Sequence, residues 1–172
     1  MSKLCPRCKQ ISVPPSGPKE SPILIMGEFP GDAELKWGKP FVGFTGRVLK
    51  TELARLGMDI KQYRLANLWI HLPRKHDDEL YEECWNFTLK VALRELQNRK
   101  GILLLGSDCA KTFVRKGVME IAGLRVEDDC DLFKAEVVIC SPNPAVVFQP
   151  TGVVGELRFA LEQFSEAVDK YI

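Results

Sequence analysis

The sequence predicts an α/β fold of three layers, αβα, built on a central four-stranded, mainly parallel sheet. Four short apolar runs have the uninterrupted character of strands that are buried on both faces. Segments whose apolar residues recur at helical spacing separate these runs, and such alternation is typical of a parallel sheet with right-handed crossovers. At 172 residues the chain is long enough for one core, so we expect a single domain over residues 1–172.

The predicted elements alternate along the chain. Strands are predicted at residues 23–26, 64–70, 102–105 and 136–140. Helices are predicted at residues 45–57, 79–98, 107–115 and 153–168. After the cysteine pair, residues 13–21 are rich in proline, serine, glycine and lysine and are expected to form an extended arm. Residues 121–133 are expected to form a small irregular or hairpin segment, with the acidic run at 127–129 as a solvated turn.

Composition and charge limit the classes of function. The chain is 45% hydrophobic and 27% charged with a net charge of +1, so any contact with DNA must come from a local basic patch. No apolar stretch approaches the roughly 20 residues of a membrane span, and the polar N-terminus does not resemble a secretory signal. We therefore expect a protein of the reducing cytoplasm, without a membrane partner, whose six cysteines form no disulfides.

A cysteine pair near the N-terminus indicates a metal site. Cys5 and Cys8 have the C-x₂-C spacing of half a zinc or iron–sulfur site. Cys84, on the predicted long helix, is the natural third ligand. The fourth is His71, directly after the second strand, or His76. An unliganded pair of surface thiols is the alternative. The remaining cysteines are interpreted as small hydrophobic residues: Cys109, Cys130 and Cys140.

Polar side chains follow three of the predicted strands. Glu28 and Phe29 follow the first strand, Asn67 belongs to the second, and residues 141–144 follow the fourth. Because the carboxyl ends of parallel strands converge on one crevice, we expect a ligand site there. An amide can read the edge of a planar heterocycle, the ring of Phe41 can stack on it, and a carboxylate can polarise water or stabilise a cation.

The stretch at residues 27–46, GEFPGDAELKWGKPFVGFTG, resembles the first motif of family 4 uracil-DNA glycosylases, the iron–sulfur branch. That motif reads GE-x-PG-x-x-E followed by G-x-PFVG-x-x-G. The resemblance covers nearly the whole chain in order. It includes Cys5-x₂-Cys8, the VPPSGP arm at 13–18, Asn67, Cys84 and LLLG at 103–106.

The resemblance implies roles for individual residues. Phe41 would stack on a uracil flipped out of DNA, and Asn67 would pair with the uracil edge. The acids Glu28 and Glu34 would line the pocket as catalytic groups. A 4Fe–4S cluster, or alternatively zinc, would be held by Cys5, Cys8, His71 and Cys84. Gly27, Phe29 and Asn143 would complete the substrate-binding set.

Two positions differ from the family pattern. His71 stands where the family has its third cluster cysteine, and Ser141 stands where the family's closing motif begins with histidine. That histidine donates to the uracil oxygen on which charge develops, and we expect Ser141 to face this oxygen. Loss of one such donor typically costs about 10²–10³ in rate.

The resulting prediction is a monomeric, monofunctional glycosylase that excises uracil, or a related damaged base, from DNA by base flipping. Phosphate contacts are expected from Lys36, Lys39, Arg47 and Lys50, and residues 145–148 are expected to supply an apolar wedge in the minor groove. The alternative is a weakly active or inactive superfamily member that binds DNA or a modified base. A nucleotide-binding α/β protein is a third option, but the sequence lacks the glycine-rich phosphate motifs.

Overall fold

The computed structural model describes residues 3–73, 78–126, 132–149 and 153–172. Its strands are β1 (Lys3–Leu4), β2 (Ile11–Ser12), β3 (Ile23–Gly27), β4 (Arg64–Asn67), β5 (Gly101–Leu105) and β6 (Val137–Ser141). The last four form one parallel sheet in the order β4-β3-β5-β6. Every residue of β3, β5 and β6 is buried, which explains why these strands are uninterrupted apolar runs in the sequence.

Helices cover both faces of this sheet. They are α1 (Asp32–Trp37), α2 (Phe44–Arg55), α3 (Asp78–Leu96), α4 (Ser107–Phe113), α5 (Val118–Ile121) and α6 (Val154–Val168). Shorter 3₁₀ helices are formed by Ile60–Gln62, Pro144–Phe148 and Asp169–Tyr171. One core packs α3, α4 and α5 on the sheet, and the other packs α2 and α6 on the opposite face. The predicted three-layer αβα fold with four parallel strands is confirmed. Within the described part of the chain, no helix is long and apolar enough to cross a membrane.

The second strand ends earlier than predicted, at Asn67 rather than at residue 70. Beyond it the chain turns toward α3, where the Thr88 hydroxyl accepts from the Ile70 N–H and donates to the Leu68 carbonyl, each at 2.9 Å. The buried backbone of residues 68–70 is therefore satisfied partly by the Thr88 side chain and partly by carbonyls at and after the end of β3. The apolar residues 68–70 enter the core without extending the sheet.

A short hairpin that was not predicted precedes the N-terminal arm. Strands β1 and β2 form an antiparallel hairpin whose turn carries Cys5 and Cys8. The arm then runs beside the outer edge of β4, where Ser16 and Leu65 exchange backbone hydrogen bonds of 2.8 and 2.9 Å. It therefore covers an edge that would otherwise expose unpaired backbone groups.

The other edge of the sheet is covered in a similar way. Ala122 and Arg125 form isolated bridges with β6, in agreement with the predicted irregular segment after residue 121. The acidic run at 127–129, Cys130 and His76 lie outside the described residues. Helix α1 was not predicted, because its six residues lie within a stretch dominated by glycine and proline.

The strand order places a topological switch point between β3 and β5. From β3 the chain crosses to β4 on one side, and it then returns past β3 to β5 and β6 on the other. Connections that leave neighbouring strands in opposite directions open a crevice at the carboxyl ends of those strands. The motif at residues 27–46 begins at this crevice.

Candidate functional site

A cavity of about 360 Å³ lies at the carboxyl ends of the parallel strands. Its lining comes from the segments 27–34, 41–46 and 143–145, together with Asn67 and Leu105. The volume is near the lower limit for small-ligand pockets, which suits a molecule of one ring. The structure thus brings Gly27, Glu28, Phe29, Glu34, Phe41, Asn67 and Asn143 of the predicted site to one cavity.

Phe41 and Asn67 meet across Gly27. A Cβ atom added to Gly27 would lie 2.8 Å from Asn67 Oδ1 and 3.0 Å from Phe41 Cζ. Asn67 is only 6% exposed, and its side-chain amide makes no hydrogen bond with the described residues. Phe41 has a φ of 55°, an uncommon conformation for a bulky residue, which directs the chain sharply before α2. An amide that has no hydrogen-bond partner in the described chain and lies beside an aromatic ring at the cavity wall can pair with a polar, planar ligand.

The carboxylate of Glu28 is held by the first turn of α4 and by the segment that follows β6. Its Oε1 accepts from the Asp108 N–H at 2.8 Å, and its Oε2 accepts from Asn143 Nδ2 at 3.0 Å. Asn143 is itself oriented, because its Oδ1 accepts from the Ala145 N–H at 3.0 Å. Gly106, with φ of 96°, leaves the room that this carboxylate occupies, since a Cβ there would lie 2.3 Å from Glu28 Cδ. Glu28 is therefore fixed at the cavity wall.

The carboxylate of Glu34 is used within its own loop. Its Oε1 accepts from the Gly43 N–H at 2.6 Å and its Oε2 from the Gly31 N–H at 3.2 Å. It joins the turn that starts α1 to the turn that starts α2, because each glycine is the N-cap of one of these helices. Glu34 lines the cavity as predicted, but these contacts favour a positioning role over proton transfer.

Ser141 differs from its predicted orientation. Its side chain is completely buried, and the hydroxyl donates to the Pro142 carbonyl at 3.1 Å. It is not among the described residues that line the cavity. The expectation that Ser141 faces the base is therefore corrected: its short side chain ends at the adjacent carbonyl and does not reach the cavity.

Exposed aromatic residues surround the cavity mouth. Phe44 is 57% exposed and Phe148 is 51% exposed, yet their rings contact each other with centroids 4.5 Å apart. The guanidinium of Arg47 lies 5.1 Å from the centroid of the Phe44 ring, within cation–π distance. Phe44 was missed in the sequence. Its place at the start of a helix inside the glycine-rich motif was the available signal.

The predicted metal ligands also come together. One donor atom from each of Cys5, Cys8, His71 and Cys84 lies within 4.8 Å of all the others. The first two belong to the turn of the β1–β2 hairpin, His71 to the connection after β4, and Cys84 to α3. The four donors therefore join three segments that are distant in sequence.

The ring of His71 is oriented like that of a metal ligand. Its Nδ1 lies 2.8 Å from the Leu72 carbonyl oxygen, which can only accept, so Nδ1 carries the proton. Its Nε2 points toward Cys8 Sγ at 3.7 Å. A backbone carbonyl that determines the tautomer in this way is usual for histidines that bind metals.

The thiols influence one another. Burial acts to raise the pKa of Cys5, but hydrogen bonds from the backbone of Cys8 and Arg7 and from the neighbouring thiols outweigh it, and the pKa is lowered. Burial, together with the nearby Cys5 and Cys8, raises the pKa of Cys84 to about 12. A bound cation would reverse this effect, because thiolates are the form that binds metals.

The donor set fits a thiolate-rich metal centre. Tetrahedral zinc with Zn–S of about 2.3 Å places its sulfur ligands roughly 3.8 Å apart. A 4Fe–4S cluster binds each ligand to a different iron, so its donors lie further apart than those around one ion. A spread of at most 4.8 Å is closer to the single-ion arrangement, whereas three thiolates and one imidazole are chemically suitable for either.

Fold and site together define an α/β protein that accommodates a small planar molecule at the switch point of its sheet. Residues 14–168 match the model of the Uracil DNA glycosylase superfamily, and the chain belongs to this superfamily. A Type-4 uracil-DNA glycosylase of Pyrobaculum aerophilum is 28% identical over 180 residues, covering 94% of this chain and 88% of the relative. A Type-4 uracil-DNA glycosylase of Archaeoglobus fulgidus is 33% identical over 82 residues, covering 45% of this chain and 41% of the relative. The family 4 resemblance of residues 27–46 is thereby confirmed.

Proposed function

We propose that the chain is a monofunctional uracil-DNA glycosylase, which hydrolyses the N-glycosidic bond of uracil in DNA. The observation that carries this function is the buried amide of Asn67, which makes no hydrogen bond within the described chain and lies beside the Phe41 ring at the cavity wall. Relatives named Type-4 uracil-DNA glycosylase support it. We also propose that the chain acts as a monomer of one domain.

The proposed recognition follows from hydrogen-bond chemistry. Uracil offers an N3–H donor beside the O4 acceptor, and the amide of Asn67 offers the complementary acceptor and donor. Cytosine has an acceptor and a donor at the same places, so with the amide in the same orientation it would leave both groups unpaired. A site built around such a pair discriminates strongly, because the unpaired polar groups stay buried. Phe41 supplies the stacking surface, and Gly27 lets the base approach both side chains.

The proposed chemistry is a displacement by water at the sugar. As the C1′–N1 bond breaks, its electron pair moves onto the uracil, while positive charge develops on the sugar. We propose that the Glu28 carboxylate, which accepts from the Asp108 N–H and from Asn143 Nδ2, stabilises that charge and orients the water. Water then supplies the hydroxyl of the abasic sugar, and its proton leaves with the uracil or with solvent.

A second candidate function is binding without catalysis. It is favoured by Ser141, whose hydroxyl is bonded to the Pro142 carbonyl and is not available to the developing charge on the base. If no other donor replaces it, about 10²–10³ in rate is lost. In that case the protein recognises uracil in DNA and forms little product.

An excision assay distinguishes the two functions. Oligonucleotides with one uracil are incubated with the protein, and abasic sites are detected by alkaline cleavage. Product at catalytic protein concentration supports the glycosylase, whereas uracil-dependent binding without product at stoichiometric protein supports the binder. Ser141→Ala is expected to retain the wild-type rate, since the hydroxyl lies outside the cavity. A rate that falls tenfold or more would contradict this placement.

We propose further that Cys5, Cys8, His71 and Cys84 hold a 4Fe–4S cluster. The family 4 relationship supports the cluster, while the compact donor spacing makes zinc the second candidate. In either case the bound group would join the N-terminal arm to α3, so its role is structural. Broad visible absorbance that disappears in Cys84→Ser supports the cluster. A colourless protein with one zinc per chain supports zinc, and native protein without either metal contradicts both.

A further inference from the structure

An open groove beside the cavity has no role in the mechanism above. It has a volume of about 450 Å³ and lies between α2 and α6, with Val147 of the 3₁₀ helix Pro144–Phe148 also in its wall. Phe44 lines both this groove and the cavity, so the two spaces adjoin at that ring. A strand that places one nucleotide in the cavity can therefore continue past Phe44 into the groove.

The groove offers one cation without an ionic partner. Arg47 makes no hydrogen bond or ion pair through its guanidinium with the described residues, and its nearest recorded partner is the Phe44 ring. The other arginine of the groove, Arg158, binds Glu52 through two hydrogen bonds of 3.1 Å, and this pair neutralises the acid of the groove. Residues 35–51 contain four basic residues and no acid. The local charge therefore suits a phosphate backbone.

The rings beside the groove suit an unpaired base. Phe44 and Phe148 contact each other, and about half of each side chain is still exposed to solvent. Aromatic faces of this kind stack on bases of any sequence. In a duplex both faces of every base are already covered by neighbouring bases, so the rings can be reached only after a step is unstacked. A single strand offers a base face without that cost.

We propose that this groove binds the single strand that flanks the target uracil, so that single-stranded DNA is the preferred substrate. A neighbouring base stacks on the Phe44–Phe148 pair, and its phosphate binds Arg47. This inference deepens the proposed function and rests on it for the placement of the uracil. The binding surface itself is testable without excision.

The test measures binding of DNA that contains no uracil. A labelled single strand and a hairpin duplex of the same sequence are titrated with the full chain, and fluorescence anisotropy is recorded over a series of salt concentrations. We expect the single strand to bind at least about tenfold more tightly, since the duplex must be unstacked first. Equal affinity, or tighter binding of the duplex, would overturn the proposal.

Variants assign the binding to the groove. Phe44→Ala and Phe148→Ala are each expected to weaken single-strand binding by about 5-fold to 150-fold, the range found for one stacked base. The plot of log K for single-strand binding against log salt has a negative slope. Arg47→Ala is expected to make this slope less steep by about 0.7, which corresponds to the loss of one phosphate contact on a single strand. Phe159→Ala is the matched control, because Phe159 is 46% exposed on α6 but lies beside Gly123 and lacks the ring contact with Phe44 that Phe148 makes.

The outcomes separate this proposal from the glycosylase itself. If Phe44→Ala and Phe148→Ala weaken the binding of duplex and of single strand equally, the two rings act as a wedge between stacked bases of a duplex. That result would overturn the single-strand assignment. Ring variants that behave like Phe159→Ala would overturn the stacking surface altogether. If the protein binds uracil-free single strands as expected but excises no uracil, only the proposed catalytic function fails. Melting temperatures of the variants must match the control, so that loss of binding is not loss of fold.

Discussion

The contact of Phe41 and Asn67 across Gly27 leads to a sharp prediction for Gly27→Ala. The new methyl group would lie 2.8 Å from Asn67 Oδ1 and 3.0 and 3.2 Å from two carbons of the Phe41 ring. Ordinary van der Waals contacts are 3.4–4 Å, so both side chains must move by several tenths of an ångström. These are the two side chains proposed to stack on the base and to read its edge.

Gly27→Ala is expected to lower the rate of uracil excision more than it lowers the stability of the fold. Overpacking by one methyl group typically destabilises by about 1–3 kcal/mol, and the low end applies here because the contacts are side-chain ends that can turn toward the cavity. A misplacement approaching 1 Å at a reacting centre can cost about 10²-fold in rate. We therefore expect kcat/KM for uracil excision to fall about 10²-fold, while the variant remains folded at the assay temperature.

The assay compares Gly27→Ala with Gly155→Ala. Gly155 lies in the first turn of α6, and a methyl group there meets no atom of the described chain within 4 Å. The control should keep wild-type kcat/KM and gain up to roughly 1 kcal/mol in stability from helix propensity. If Gly27→Ala retains the wild-type kcat/KM, the base does not bind between Phe41 and Asn67, and the proposed recognition is refuted.

Three further predictions concern individual side chains. Asn67→Ala should lower kcat/KM for uracil by about 5-fold to 150-fold, because the buried edge of the base loses its partner; unchanged steady-state kinetics would contradict it. Glu34→Gln places an amide donor against one of two loop N–H groups and should lower the free energy of unfolding in urea by about 1.5–3 kcal/mol. An unchanged urea midpoint would show that Glu34 does not stabilise the loop. The pKa of Glu136 is lowered to about 2, first by the hydrogen bond from Tyr171 and then by Lys100 and Lys170. The stabilising effect of the ionised Glu136 should therefore be complete above pH 4.5 and be lost as the pH falls toward 2. The difference in melting temperature between wild type and Glu136→Gln should disappear over the same pH range. Added salt should also reduce that difference. A difference that persists at pH 2 would assign the effect to packing.

Much of the fold could be predicted from local pattern. The strands β3, β5 and β6 are buried on both faces, so each is an apolar run that remains visible without knowledge of its neighbours. The end of β4 was predicted three residues late, because residues 68–70 are as apolar as a strand. The hydroxyl of Thr88, eighteen residues or more further along the chain, and backbone groups at the end of β3 and in the N-terminal arm satisfy residues 68–70 without a continued strand.

The candidate sites, like the fold, could be predicted from the sequence only in part. Residue types at the strand ends named part of the cavity wall, because the carboxyl ends of parallel strands must converge, but Phe44 was missed. The cysteine spacing indicated the metal centre. Their individual roles depend on where each side chain ends. Glu34 is bonded to its own loop, while Glu28 is bonded across the crevice to Asn143 and the Asp108 N–H, although both are acids of the same motif.

The sequence alone determined the αβα fold, part of the cavity wall and the family, since hydrophobic period, turn residues and motif spacing are properties of neighbouring residues. The tertiary structure alone decided that Ser141 faces Pro142, that Phe44 meets Phe148 and that the four metal donors lie within 4.8 Å. The physical reason is the distance along the sequence between the residues that interact. The direction of a side chain at the end of a strand depends on atoms that are far away in sequence, so no local pattern predicts it.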